Sequence, residues 1–445
     1  MTKTRKMRIS VKQENWLKKA ISSTLVVAIV FIAGGFTAVE QALAAPSLNT
    51  YRLTFSGSNN QNPDAAIDSA GNVSAVYERS GMIYYKQNRQ TEEAVIAGTN
   101  PAMALDNAGN VHVVFISSGT FVKYIEKTAA GWQPAVDIGS GSQADITVDA
   151  SGKVYLALIR TESDGYSDLL YINNTSGDFN SATPEIVEDG KLDGALTTNY
   201  TDPTIKIDGA GKYHIAYLNT TYTGDPTSSA KYVQVKTNAA DGNSVSDNLG
   251  YTSTGILSAN SLVLNGTTAE VIYVADVSAV YLAKITASAS WDVSTVVAGG
   301  GSKPTLALNG VDPSVTYEFS GNVVYDEDNG SGFGAQVDVD TSSNNPVVVL
   351  NSTNKYVYYV KSGDIYLATD KNIIDQNPPV ISGVIDGNTY TSAVTITYTD
   401  AENEGPVTAT LDGAAFASGD SVNTNGAHTL VVTDAAGNTA TVSFT

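Results

Sequence analysis

The chain has no cysteine among its 445 residues, which excludes disulfide staples and thiolate metal sites alike. Many exported proteins need disulfides because their cores are small, whereas about 400 residues can bury enough apolar surface without them. Basic residues are scarce, with 25 Lys and Arg against 45 Asp and Glu. Seven of those bases (Lys3, Arg5, Lys6, Arg8, Lys12, Lys18, Lys19) crowd the first twenty positions, so residues 45–445 carry only 18 bases against 43 acids. A surface that acidic repels phosphate backbones and removes nucleic acid from the expected partners. Long stretches rich in Ala, Leu, Glu and Lys at helical spacing are also missing. Gly, Thr, Ser, Asn, Val and 24 Tyr are abundant instead, the composition of an all-β protein.

One long apolar run is present, from Ile21 to Val39 behind the basic cluster. Ala42-Leu43-Ala44 follows it with small residues in the spacing a signal peptidase needs, and Pro46 comes soon after the expected cut. Residues 1–44 therefore read as a secretory signal cut after Ala44. An uncleaved membrane anchor is the alternative, because the run nearly spans a bilayer, although Gly34-Gly35 interrupts it. The expectation is a secreted, extracellular protein, free or associated with the cell envelope, with no membrane insertion after cleavage.

The rest of the chain repeats itself. Asn62-Pro-Asp-Ala-Ala-Ile-Asp-Ser-Ala-Gly-Asn-Val-Ser-Ala-Val-Tyr77 matches Asn100-Pro-Ala-Met-Ala-Leu-Asp-Asn-Ala-Gly-Asn-Val-His-Val-Val-Phe115 in spacing. The pattern returns at Ala144–Leu158 and Pro203–Tyr217, then in drifted form at Asn260–Tyr273, Pro304–Tyr317 and Pro346–Tyr359, giving seven units. One position in each holds only Asp or Asn: Asp68, Asp106, Asp149, Asp208, Asn265, Asn309 and Asn351. In the first four units Gly71, Gly109, Gly152 and Gly211 follow three residues later, the chemistry of a tight hairpin turn. A third strand follows in every unit and a fourth in most, which describes propeller blades rather than solenoid coils. The seventh unit ends after its third strand, near Ala368, while Tyr51–Ser56 precedes the first unit as an orphan strand. Joining the two would close the ring and leave no open sheet edge.

The Pro-x-Ile/Ala-x-Leu/Val-Asp-x-x-Gly-Asn/Lys-Val-His/Tyr-Val-Ala-Tyr pattern, over roughly residues 50–370, resembles the BNR-type repeats of bacterial sialidase-like propellers. That resemblance implies a seven-bladed β-propeller over 45–375. It leaves function open, since such propellers include hydrolases, lyases, lectins and interaction modules. After Asn377-Pro-Pro379 the repeat stops, and short alternating runs are separated by Asp386-Gly387, Asp412-Gly413 and Asn425-Gly426. Leu430-Val-Val-Thr-Asp-Ala-Ala-Gly-Asn-Thr-Ala-Thr-Val-Ser-Phe444 resembles the last hairpin of Gram-positive Ig-like modules, which implies that 376–445 is a small Ig-like β-sandwich serving as spacer or attachment domain.

Sialidases need an arginine triad, yet beyond residue 44 only Arg52, Arg79, Arg89 and Arg160 occur, three of them in or beside the first unit. The Ser-x-Asp-x-Gly-x-x-Trp box is missing as well, so sialidase activity is not expected. A lyase could use His and Tyr, but His112 and His214 share a second-strand position where other units carry Ser74, Tyr155 and Tyr356, which favours packing. Asp326-Glu-Asp328-Asn-Gly330 has the alternate carboxylates of a calcium loop and reads equally well as a polar hairpin; no other cofactor is indicated. The informative departure from the repeat is a set of insertions in units three and four, at 160–168, 189–202, 219–230 and 246–259. All four connections belong to one face of the disc. They bring Arg160, Asp164, Tyr166, Tyr200, Tyr222 and Tyr251 together as a candidate ligand site, with rings for stacking on sugars or docking a protein loop. The expected function is recognition of a polysaccharide or a cell-surface protein by a monomer. An extracellular polysaccharide lyase or glycosidase, and a structural envelope or matrix component, are the alternatives.

Overall fold

The computed structural model describes residues 48–55, 59–163, 165–174, 179, 182–190, 196–223, 229–237, 245–252, 258–275, 279–285, 291–328, 332–334, 336–371, 377–400 and 407–445. The expected signal segment lies outside them. The described residues contain strands and turns and no helix.

Seven four-stranded antiparallel groups follow one another along the chain. Their first strands are Asn60–Ile67, Thr99–Leu105, Gln143–Val148, Leu196–Ile207, Ser258–Asn265, Gly301–Asn309 and Ser343–Leu350. Each first strand packs beside the next, and the seventh packs beside the first. No hydrogen-bonded sheet closes on itself; the closure is made by side chains between sheets. A single parallel bridge, Ser167 to Asn199, joins the third and fourth sheets.

The core is divided to match, with one apolar cluster between each pair of neighbouring sheets. Val76, Ile83, Val113 and Phe115 fill the space between the first and second sheets. Tyr358, Val360 and Leu367 meet Ala65, Ala75 and Tyr77 between the seventh and the first. A sheet covered on both faces buries consecutive residues of its strands rather than alternate ones. The second strands obey: Val73–Arg79, Val111–Ser117 and Val154–Thr161 are buried along six consecutive residues.

Local chemistry builds the hairpins between first and second strands. Asp68 Oδ1 accepts the backbone N–H groups of Ala70 at 2.9 Å and Asn72 at 2.8 Å, and Gly71 takes φ +81°. Asp106, Asp149 and Asp208 repeat that turn. The fifth and sixth sheets use tighter turns, with Asn265 opposite Thr268 and Asn309 opposite Asp312. Asn351 caps Thr353 and Asn354 in the seventh.

The amino-terminal strand, Asn49–Arg52, pairs antiparallel with Asp364–Thr369 and supplies the seventh sheet's fourth strand. It starts earlier than the sequence suggests and stops at Arg52, because Thr54 leaves the ladder to form a corner. Its hydroxyl donates to Asp364 Oδ1 at 3.0 Å and accepts from the Ile365 N–H at 3.0 Å. Arg52 forms an ion pair with the same carboxylate. Asn60 then donates to the Gly363 carbonyl at 2.9 Å as the chain enters the first sheet.

From Val380 onward short antiparallel strands, ending with His428–Thr433 and Thr439–Phe444, enclose a separate core of Ile396, Ala409, Leu430, Val432 and Phe444. Lys371 donates to the Gly71 carbonyl at 3.2 Å and Asn377 to that of Arg89, so the chain leaving the seventh sheet returns to the first.

Candidate functional site

Hydrogen bonding in the fourth sheet changes the reading of its insertions. Leu196–Ile207 runs for 12 residues and pairs with Tyr213–Thr223 as far as Leu196 opposite Thr223. Ser229–Thr237 and Val245–Thr252 continue the sheet. Much of what the sequence presents as loops at 219–230 and 246–259 is therefore strand, and the fourth sheet rises as a wall above one face. Thr and Tyr, which favour strands, are concentrated where the pairing extends, with Thr197 opposite Tyr222 and Thr198 opposite Thr221.

In the neighbouring third sheet, bridged to the fourth at Ser167, lies a cavity of about 350 Å³ lined by Arg160, Glu162, Ser163, Tyr166, Asp168, Ile186 and Asp189. Arg160 and Asp168 sit opposite each other on neighbouring strands, with guanidinium Nη2 3.0 Å from carboxylate Oδ2. Glu162 pairs with the same guanidinium. Asp168 is only 4% exposed, and its other oxygen accepts the Gly190 N–H at 3.0 Å. No side chain fits at 190, since a Cβ there would lie 2.4 Å from the Ser167 carbonyl oxygen. A tight turn places Tyr166: the Glu162 N–H donates to the Tyr166 carbonyl at 2.7 Å, and Gly165 takes φ +88°. Tyr166 is half-buried, and Ile186 presents an exposed apolar side chain. One cation meets three carboxylates here, so the cavity is acidic even though it contains an arginine.

Of the six candidate residues, Arg160 and Tyr166 share this cavity. Asp164 lies outside the described residues, as does the side chain of Tyr251, whose backbone pairs with Tyr232. Tyr222 is half-buried on the wall, opposite Thr197, and does not line the cavity. Tyr200 is a correction. It is 5% exposed, packs edge-on against Tyr217 with ring centroids 5.7 Å apart, and burial pushes its phenol well above the usual range. A ring held in the core between the third and fourth sheets cannot stack on a ligand. Ile186 was not singled out from sequence, although its place in a short strand beside Glu185 is legible.

The histidines face inward. His112 Nδ1 lies 2.7 Å from the Tyr124 hydroxyl and Nε2 3.6 Å from Asp106. His214 lies 3.5 Å from Asp208 and 3.1 Å from the Thr237 hydroxyl. Burial lowers the pKa of both, against the pull of those carboxylates. Tyr155 bonds Asp149 from the same position at 2.7 Å, so this second-strand residue buttresses the turn. The proposed calcium-loop carboxylates diverge: Glu327 reaches Lys355 at 2.6 Å, Asp328 lies 3.8 Å from Lys284, and Asp326 caps the next backbone N–H. No group of three or more acidic or histidine side chains suited to a metal occurs among the described residues.

The seven first strands surround a second cavity, a channel of about 730 Å³. Asp64 Oδ2 accepts the Met103 N–H at 2.7 Å, Asp145 Oδ2 that of Ile205 at 2.8 Å, and the Thr305 hydroxyl that of Val348 at 3.1 Å. Each bond joins one first strand to the next around the channel.

Sheets packed face to face around a channel lined by their first strands define a β-propeller, and comparison with solved structures agrees. An ulvan lyase, described as a new family of polysaccharide lyase, matches with a TM-score of 0.53 and 12% identity over 72% of this chain and 95% of its own. The same lyase bound to -[GlcA(1-4)Rha3S]- matches with a TM-score of 0.54 and the same identity and coverage. At that identity the likeness speaks for the fold alone. No family model matches the sequence, and neither does any curated protein.

Proposed function

We propose that the chain is an exported carbohydrate-recognition protein. Residues 1–44 act as a cleaved signal, 45–375 form a seven-bladed propeller of the sialidase-like repeat type, and 376–445 are an Ig-like spacer or attachment module. The ligand is a neutral glycan, on a polysaccharide or at a cell surface, and it binds in the cavity at Arg160, Tyr166 and Ile186. The observation that carries this reading is the neutralisation of Arg160 by Glu162 and Asp168, with Asp189 adding a third carboxylate. Such a cavity repels uronates, while a half-exposed Tyr ring and an apolar neighbour suit the faces of uncharged sugars.

The test is retention of the purified protein on neutral and acidic polysaccharides, with released unsaturated and reducing ends measured in the same samples. Retention on neutral polymers without product is expected, and Tyr166→Ala should weaken it about tenfold or more. Retention on acidic polymers alone, or unchanged retention in the variant, would refute the site. A glycosidase is the second reading, favoured by three carboxylates around one cavity, and release of reducing ends would establish it. Lyase chemistry through His112 or His214 finds no support in side chains committed to buttressing turns.

A further inference from the structure

Five of the first strands contain a residue in the left-handed region directly before a proline: Asn62, Asn100, Asp202, Lys303 and Asn345, with φ of 50°, 49°, 52°, 45° and 51°. Non-glycine residues seldom adopt that conformation, and a following proline restricts the backbone towards extended geometry. The pairing register breaks at the same place in all five strands. Each bulge re-aims one side chain at the end of the channel. A backbone strained identically in five sheets marks a feature the fold maintains, and its supports are visible. Glu78 accepts the Asn100 N–H at 3.3 Å, and Glu318 accepts the Asn345 N–H at 2.8 Å.

The re-aimed side chains meet their neighbours across adjacent sheets. Asn62 Nδ2 donates to Asn100 Oδ1 at 2.7 Å, and Lys303 donates to Asn345 Oδ1. Gln143 fills the corresponding place in the third sheet and accepts the Asp202 N–H at 2.7 Å. Asn62, Asn100 and Lys303 are exposed. Two residues deeper the lumen carries Asp64, Asp145, Thr204, Ser261 and Thr305; two deeper again it is mostly Ala and Val, with Lys206 as an exception. The channel thus has four carboxamides, of Asn62, Asn100, Gln143 and Asn345, at its mouth with Asp202 and Lys303 among them, and it becomes less polar below.

We propose that this mouth holds the terminal unit of a neutral glycan, so that the protein recognises chain ends rather than chain interiors. In the linked Asn62–Asn100 pair the Asn62 carbonyl oxygen and the Asn100 amide nitrogen remain as acceptor and donor, the complement a vicinal diol requires. Lys303 lies 3.1 Å from Glu318, which offsets its charge and leaves no preference for an anion. An opening walled on every side admits an end, whereas a chain lying lengthwise suits an open groove. The inference rests on the carbohydrate reading above and extends it. Asn199, bridged to Ser167 beside the cavity, precedes Asp202 by three residues, about 10 Å of strand, so one oligosaccharide can reach both sites.

Competition separates ends from interiors. The full-length protein is held on immobilised xylan, cellulose or mannan, then displaced with soluble xylo-, cello- or mannotetraose and with the corresponding soluble polymer at equal mass. End recognition predicts that the tetraose displaces at a mass concentration about tenfold lower, since it carries many more ends. The double variant Asn62→Gly/Asn100→Gly, and separately Lys303→Gly, keep a residue that adopts the left-handed backbone freely while removing the polar side chains, and should weaken tetraose binding about tenfold with little change in melting temperature. Equal displacement by mass would overturn the inference. So would tetraose binding that Tyr166→Ala abolishes and the mouth variants do not; the carbohydrate reading would then survive alone. Failure of the wild type to bind any of the three neutral glycans would reject both.

Discussion

Individual side chains show how narrowly the interior is balanced. Tyr359 donates its hydroxyl to Asp340 at 2.9 Å, whereas the Tyr358 hydroxyl is buried between the seventh and first sheets with no hydrogen-bond partner among the described residues. Leaving a buried polar group unpaired costs roughly 1–3 kcal/mol. Tyr358→Phe should therefore keep or raise the melting temperature, and Tyr359→Phe should lower it; calorimetry of both variants compares them directly. Asp64 makes a pH-dependent case. Desolvation pushes its carboxyl up to about 6, opposed by the Met103 N–H, raised further by Asp145 and lowered by Lys206. The folded chain then holds that proton more tightly than the unfolded chain does, so the stability Asp64 contributes is lost as pH rises from about 4 to about 6. Asp64→Asn removes this dependence. Because Asp64 lines the channel and is only half-buried, the variant should gain on the order of 1–2 kcal/mol on the wild type between pH 4 and 6.5. Parallel stability curves across that range would show that Asp64 is not the titrating group.

Elements were legible in the sequence where their causes are local. Asp-x-x-Gly specifies a hairpin by itself, and its recurrence between short apolar runs announces a repeated sheet. What eluded the sequence depends on partners distant in the chain. Tyr200 looks like a rim residue until Tyr217 and the third sheet bury it. The Thr- and Tyr-rich insertions look like loops until they pair with one another. The left-handed Xaa-Pro residues run against the preference of the dipeptide itself, and Glu78, Gln143 and Glu318 hold the N–H groups of Asn100, Asp202 and Asn345. The Arg160–Asp168 hairpin lies between these extremes, because its cross-strand pairing is implied by spacing but its effect on the cavity's charge is not. That effect can be measured. Asp168→Asn leaves two carboxylates, Glu162 and Asp189, around Arg160, and this less acidic cavity should shift retention towards acidic polymers such as polygalacturonate while weakening retention on neutral ones. An unchanged preference would mean that Asp168 supports the Gly190 turn without setting the charge the ligand meets.

At the scale of the whole molecule, six of the seven interfaces between sheets join segments consecutive in the chain. The seventh joins its two ends. There Asn49–Arg52 completes the last sheet, the Arg89 guanidinium lies 5.2 Å from the ring centroid of Tyr51, and Leu53 enters the cluster shared by the seventh and first sheets. Every other interface is held by chain connectivity as well as by packing, so opening the ring is easiest here, and it exposes apolar faces on two sheets at once. Deleting residues 45–57 should lower the melting temperature by on the order of 10 °C and broaden the transition. Deleting 378–445 should do far less, since the linker contacts at Lys371 and Asn377 remain. Loss of a strand can be told apart from general damage by adding it back. A peptide of residues 48–57 offers the deleted protein an edge strand with its own Tyr51, Leu53 and Thr54, and it should restore the melting temperature in a saturable way, whereas the same peptide with Leu53→Asp should not. Failure of the native peptide to restore stability, with its binding to the deleted protein shown independently, would mean that the ring does not depend on that strand for closure.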